Sequence, residues 1–176
     1  MITALNPTAF EAGLKAYLDA RFAAAGIVVP TLTAGTPGTP AAPRVLVGLS
    51  TEIVGISAIT VALRSAIAQT EAEGWYTMEP IIVVVTPLKL EGVTLAHHSA
   101  VYAALLAAFP ARPHGNASGG DKTAWAALHT ELSAYLLAAC GYNAAGWITR
   151  SSIYRKTETQ IEQPFVIRLG VVHPDV

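Results

Sequence analysis

The chain has 176 residues with 11 basic and 12 acidic side chains, a net charge of −1 at pH 7, 52% hydrophobic residues and 13% charged ones. This balance excludes the basic footprint of a nucleic-acid binder or a polybasic membrane anchor, and a single cysteine excludes an internal disulfide and a multi-cysteine zinc or iron–sulfur centre. A charged fraction about half the usual 25% leaves a surface of Ala, Thr, Ser, Gly and apolar side chains, which suits burial against other subunits.

The first residues, Met1 to Asn6, lack a basic region followed by a long apolar segment, so no secretory signal is expected, and no stretch reaches membrane-spanning length. Asn6-Pro7 supplies a cap and a first-turn proline for a helix that Gly26 stops. Phe10, Leu14, Tyr17, Leu18 and Phe22 fall on one face of it, opposite Glu11, Lys15, Asp19 and Arg21. Residues 31–43, rich in Gly and Pro, read as a protruding loop. A strand is expected at 44–49. Between Ile59 and Gly74 two periods compete, because Ile59, Leu63 and Ile67 fit helical spacing while Ile59, Val61 and Leu63 alternate. The strand reading is preferred, paired with 75–85 through a turn at 71–74.

Ile81-Ile82-Val83-Val84-Val85 lies between Pro80 and Pro87. Five β-branched residues without alternation predict a central strand covered on both faces, each buried side chain contributing about 1.5–3 kcal/mol. Leu95, His98, Val101, Tyr102, Leu105, Leu106 and Phe109 mark a second helix ended by Pro110. After a polar loop at 112–120, Asp121 is the expected cap of a third helix carrying Trp125, Leu128, Leu132, Tyr135, Leu136 and Cys140 and closed by Gly141. Two strands, 147–155 and 165–172, flank a polar tip at 157–160. Together these predict a single α+β domain: a mostly antiparallel sheet packed against two or three helices, with a long C-terminal β-hairpin.

Reactive constellations are sparse. The segment from Gly115 to Thr123 resembles a phosphate loop in composition, but Asp121 stands where lysine is required and no buried strand precedes it. His97 and His98 diverge by about 100° on a helix and share no metal, and His114, His129 and His173 are isolated. Cys140 sits at a helix carboxyl end, where the dipole disfavours a thiolate, and no Gly-x-Ser-x-Gly elbow occurs. Asn116-Ala117-Ser118 matches a glycosylation acceptor only formally. No catalytic, cofactor-binding or metal-binding residue is assigned. The residues expected at interfaces are Thr36, Pro37, His114, Arg150, Arg155, Lys156, Thr157 and Glu158, with Arg168 beside them on the last hairpin.

The order of elements resembles the tail terminator proteins of long-tailed bacteriophages. The resemblance rests on the helix from Phe10 to Phe22, Pro43-Arg44-Val45-Leu46-Val47, the strand from Met78 to Leu88 leading into a helix, and the closing segments Gly146-Trp147, Arg150-Ser151-Ser152 and Phe165-Val166-Ile167-Arg168-Leu169. It implies a non-enzymatic virion subunit that forms a homo-oligomeric ring, typically a hexamer, on the end of the tail tube. The partners so implied are the tail tube protein and a neck or head-completion protein, with no membrane and no specific nucleic acid. The alternatives are another head–tail connector or tail-completion subunit, or a small cytosolic enzyme or ligand-binding domain using Cys140 or a histidine.

Overall fold

A computed structural model of the chain describes residues 2–27, 46–47, 60–64, 67–87, 94–151, 155–156 and 160–176. Helix α1 (Pro7–Ala24) begins as its sequence dictates, with Asn6 Oδ1 accepting from the backbone N–H groups of Thr8 and Ala9. Its apolar face, Phe10, Leu14, Tyr17, Leu18 and Phe22, is buried. Strands β1 (Leu46–Val47), β2 (Thr60–Arg64), β3 (Ile67–Ala72), β4 (Trp75–Met78) and β5 (Ile81–Pro87) follow, then helices α2 (Thr94–Ala108) and α3 (Gly119–Cys140), then β6 (Asn143–Ser151), β7 (Arg155–Lys156) and β8 (Gln160–Val172). The architecture is α+β. The predicted loop at 31–43 and the hairpin tip at 157–159 lie outside the described residues.

The ambiguous stretch is strand: Thr60 to Arg64 pair antiparallel with Val85 to Ile81, and Ile67 to Ala72 with Met78 to Trp75. The intervening turn holds Gly74 at φ 75°. A side chain there would also collide with Val176, 2.7 Å from the position of a Cβ, so glycine is required twice over.

β8 is the axis of the sheet. One flank of it pairs with β4 and β5, the other with β6 and β7, all antiparallel, and β1 pairs parallel to β2 at the far side. Alternation along β8 sends Phe165, Ile167, Leu169 and Val171 to the helix side, where they are buried with Ile82, Val84 and Met78. There α2 packs on β5, α3 packs on β6, and α1 crosses both helices. Tyr17 Oη donates to the carbonyl of Ala108 at 2.6 Å, satisfying the end of α2, and burial pushes its phenol well above the ordinary range. Trp147 Nε1 donates to Pro110 at 2.9 Å, which fixes the loop after α2 to β6.

Two expectations are corrected. Asp121 does not cap α3: Ser118 does, its Oγ accepting from Asp121 N–H at 3.1 Å and donating to the Asp121 carboxylate at 2.7 Å. Asp121 sits instead in the first turn, where its charge complements the helix dipole. The apolar run in β5 is central in the sheet and buried on the helix side at Ile82 and Val84; on the opposite face cover is graded, from Val85 at 1% exposed through half-buried Val83 to Ile81 at 39%, so the expected cover on both faces fails only at the Ile81 end.

α1 packs on α3 at Gly13, where a Cβ would lie 2.9 Å from Ala139 Cβ and 3.0 Å from the Tyr135 carbonyl oxygen. Neither neighbour is the free end of a flexible chain. Gly13→Ala is therefore expected to lower the melting temperature: overpacking costs about 1–3 kcal/mol, against about 1 kcal/mol returned by alanine's helix propensity. Thermal denaturation followed by circular dichroism checks this.

Candidate assembly interface

The face of the sheet turned away from the helices is built by the alternate residues of each strand. β8 contributes Glu162, Pro164, Val166, Arg168, Gly170 and Val172. Their register partners are Val85, Val83 and Ile81 on β5, Thr77 and Trp75 on β4, and Arg150 and Ile148 on β6. Three large hydrophobic side chains stand open on this face: Ile148 at 66%, Trp75 at 44% and Ile81 at 39%. Exposed apolar side chains are ordinary when scattered, but here they share one side of one sheet.

Two of the expected interface residues lie at its margin, and a third is their neighbour on the opposite side of the sheet. Arg150, Arg155 and Lys156 are all exposed on β6 and β7. Arg150 faces Val166 in register and Arg155 faces Glu162, so both belong to the open face together with Arg168, while Lys156, opposite Ile161, belongs to the other. His114 is exposed in the loop between α2 and α3, away from these strands. Thr36, Pro37, Thr157 and Glu158 lie outside the described residues.

The helical layer offers a second uncharged surface. α2 contains no Asp, Glu, Lys or Arg, and among its described side chains the exposed ones are Ser99, Ala100, Ala103, Leu106 and Ala107. A solvent-facing helix ordinarily carries charge on that side.

Lys122, Thr123 and Cys140, three of the groups considered for chemistry, make structural hydrogen bonds. Lys122 Nζ donates to the Gly115 carbonyl at 2.7 Å and Thr123 Oγ1 to Gly119 at 2.9 Å, so the glycine-rich loop ties itself to the start of α3. Cys140 Sγ lies 3.1 Å from the Leu136 carbonyl it donates to, and burial pushes its thiol up, away from the thiolate a nucleophile needs. Among the described residues no cluster of three or more His, Cys, Asp or Glu is placed to hold a metal ion, and no helix is long and apolar enough to cross a membrane.

Two side-chain arrangements depend on tertiary contacts that no local stretch of sequence contains. His98 bridges the strands beneath α2: its Nδ1 lies 2.8 Å from Thr86 Oγ1 and its Nε2 lies 2.9 Å from Gln163 Oε1. With the amide oxygen of Gln163 accepting from Nε2–H, Nδ1 is left as the acceptor of the Thr86 hydroxyl. The second is a cluster of three rings in mutual contact: the His129 centroid lies 5.1 Å from that of Trp125 and 5.8 Å from that of Trp147, and the two tryptophans lie 5.0 Å apart. The Arg112 guanidinium sits 5.7 Å from the centre of Trp125. Trp125 and His129 are four residues apart, so their shared helix face was readable, but the contact with Trp147 is tertiary.

Burial lowers the His129 pKa, and the Arg112 charge adds to this against an opposing backbone hydrogen bond at Ala144. Folding therefore favours neutral His129. The stabilising contribution is complete above the ordinary histidine value of about 6.5 and is lost as the pH falls through that value towards the folded-state pKa. Melting temperatures between pH 8 and pH 5 are expected to decline more steeply for the native chain than for His129→Phe, which keeps an aromatic ring in the cluster without a titrating group. Parallel profiles would contradict this.

Comparison of the chain with protein-family models, with curated proteins and with solved structures gave no match.

Proposed function

We propose that this chain is a structural subunit of a long-tailed bacteriophage particle. It resembles a tail terminator and assembles as a homo-oligomeric ring, of hexameric size in the family it resembles, that caps the tail tube and joins it to the head through a neck protein. It catalyses no reaction and needs no cofactor. The observation that carries this reading is the open sheet face, where Ile148, Trp75 and Ile81 stand exposed on the side opposite the helices. Contacts with other subunits would cover such a surface, and the uncharged side of α2 is a second candidate for burial.

The reading places the protein in the virion, at the junction of tail and head, after assembly in the host cytoplasm. Electron microscopy of the purified protein tests it. Closed rings of uniform diameter, and caps on tube ends when tail tubes are added, are the expected result; fields of single small particles that leave tube ends bare would contradict it. A steady monomer that loses an enzymatic activity on Cys140→Ala would favour the enzyme alternative instead.

A further inference from the structure

We infer that copies of the chain join head to tail by pairing the two edges of their sheets, β6 of one copy with β3 of the next. This rests on the oligomeric reading above and names its contact. Beside the C-terminal half of β8 the sheet runs β3, β4, β8, β6, and among the described residues β3 pairs only with β4 and β6 only with β8. Unpaired strand edges are templates for further strands.

The backbone pattern identifies which groups are open. Ile167 N–H donates to the Pro80 carbonyl at 2.9 Å, so Ile167 points its backbone groups towards β4 and β5. Its neighbours Val166 and Arg168 then point theirs at β6, to the residues opposite them, Arg150 and Ile148. Thr149 and Ser151 accordingly direct their N–H and C=O groups away from the sheet. On the same edge, beyond the bulge at Gly146, the backbone N–H of Ala144 is taken by Ser133 Oγ of α3 at 3.1 Å. The helix thus covers the first part of the edge, and no described residue pairs with the second part, which lies beside Ile148, the most exposed large hydrophobic side chain among the described residues.

Charge and direction select a second copy as the occupant. Residues 143–156 include Arg150, Arg155 and Lys156 and no acid, whereas 67–74, spanning β3 and its turn, include Glu71 and Glu73 and no base. β6 runs antiparallel to β8, β8 to β4, and β4 to β3, so β3 runs opposite to β6. A neighbour that is not turned over therefore offers its β3 antiparallel to β6, the geometry with the better hydrogen bonds. Bringing the neighbouring copy's segment 71–73 beside Thr149 and Arg150 needs a stagger of about four to five residues, roughly 15 Å at 3.3 Å per residue. Closing a sheet on itself demands a stagger of this kind. The contact is heterologous, as a ring requires.

Sedimentation equilibrium of the full chain and three variants tests the contact. Thr149→Pro removes an outward N–H that the sheet does not use, so the fold is kept and the melting temperature stays within a few degrees. The expected result is an oligomer for the native chain and the single-chain mass of 18.4 kDa for Thr149→Pro. Arg150→Glu should weaken association at least tenfold, and adding Glu71→Arg and Glu73→Arg to it should restore the native mass. If the native chain, Thr149→Pro and Arg150→Glu all sediment as the same oligomer, the edge contact is wrong while the oligomeric reading stands. A native chain that remains a monomer removes that reading and the contact with it. Should Thr149→Pro fail to fold, the charge reversal and its rescue decide alone.

Discussion

Phe165→Ala is expected to destabilise the chain by about 3–5 kcal/mol, lowering its melting temperature by roughly 6–20 °C. The size of the effect follows from position. Phe165 is fully buried on β8, the strand that pairs on both flanks, and its ring meets Tyr102 edge-on at 5.9 Å and Phe109 at 6.2 Å. Phe109 in turn meets Tyr17 at 5.5 Å and Trp147 at 5.9 Å, so the ring on β8 anchors a cluster that joins α1, the end of α2 and β6. Truncation leaves a cavity that a sheet held on both sides cannot close, which places this substitution at the upper end of its class. Phe165→Leu, which keeps most of the volume, should cost markedly less. Chemical denaturation of the three proteins, with equal m-values, checks the order.

His98→Leu is expected to cost about 2–4 kcal/mol, although leucine is the more hydrophobic residue. It takes away the partner of the fully buried Thr86 hydroxyl and one partner of Gln163, and an unsatisfied buried polar group costs about 1–3 kcal/mol. The signature of this explanation is compensation. Adding Thr86→Val to His98→Leu replaces both members of one hydrogen bond by apolar groups and should recover at least 1 kcal/mol, because the orphaned hydroxyl is gone. A double variant no more stable than His98→Leu would show that packing, and not the polar bridge, fixes α2 to the sheet.

Much of the fold was legible because it is written in local chemistry. Asn6-Pro7 and Gly26 bound α1 where the capping argument placed them, and Gly141 ends α3 in the left-handed conformation at φ 79°. The stretch from Ile59 to Gly74 was harder, since Ile59, Leu63 and Ile67 satisfy both periods. The partner decides it: Thr60 pairs with Val85 across the sheet, and pairing is not a local property. The cap of α3 was misplaced by three residues because Ser118 and Asp121 are both good capping residues, and only the direction of their hydrogen bonds separates them.

The candidate interface was legible in part. Arg150, Arg155 and Lys156 were singled out by their clustering, and all three are exposed. Their division between two faces was not, because it depends on register with β8. Nor was the open face itself. An unbroken run such as Ile81 to Val85 predicts two apolar neighbours, and it reads the same whether the second comes from the chain's own helices or from another copy. On that second face Val85 is buried and Ile81 is exposed, a difference that nothing in the run itself records. The bridge of Thr86, His98 and Gln163 joins residues 12 and 65 positions apart and leaves no trace in any window of sequence.

The proposed role requires that surfaces left open in one chain be closed by others of its kind. Sedimentation velocity of the native chain over a hundredfold range of concentration tests it most directly. A single boundary at several times 18.4 kDa, unchanged across the range, is the predicted result. One boundary at 18.4 kDa throughout would contradict it.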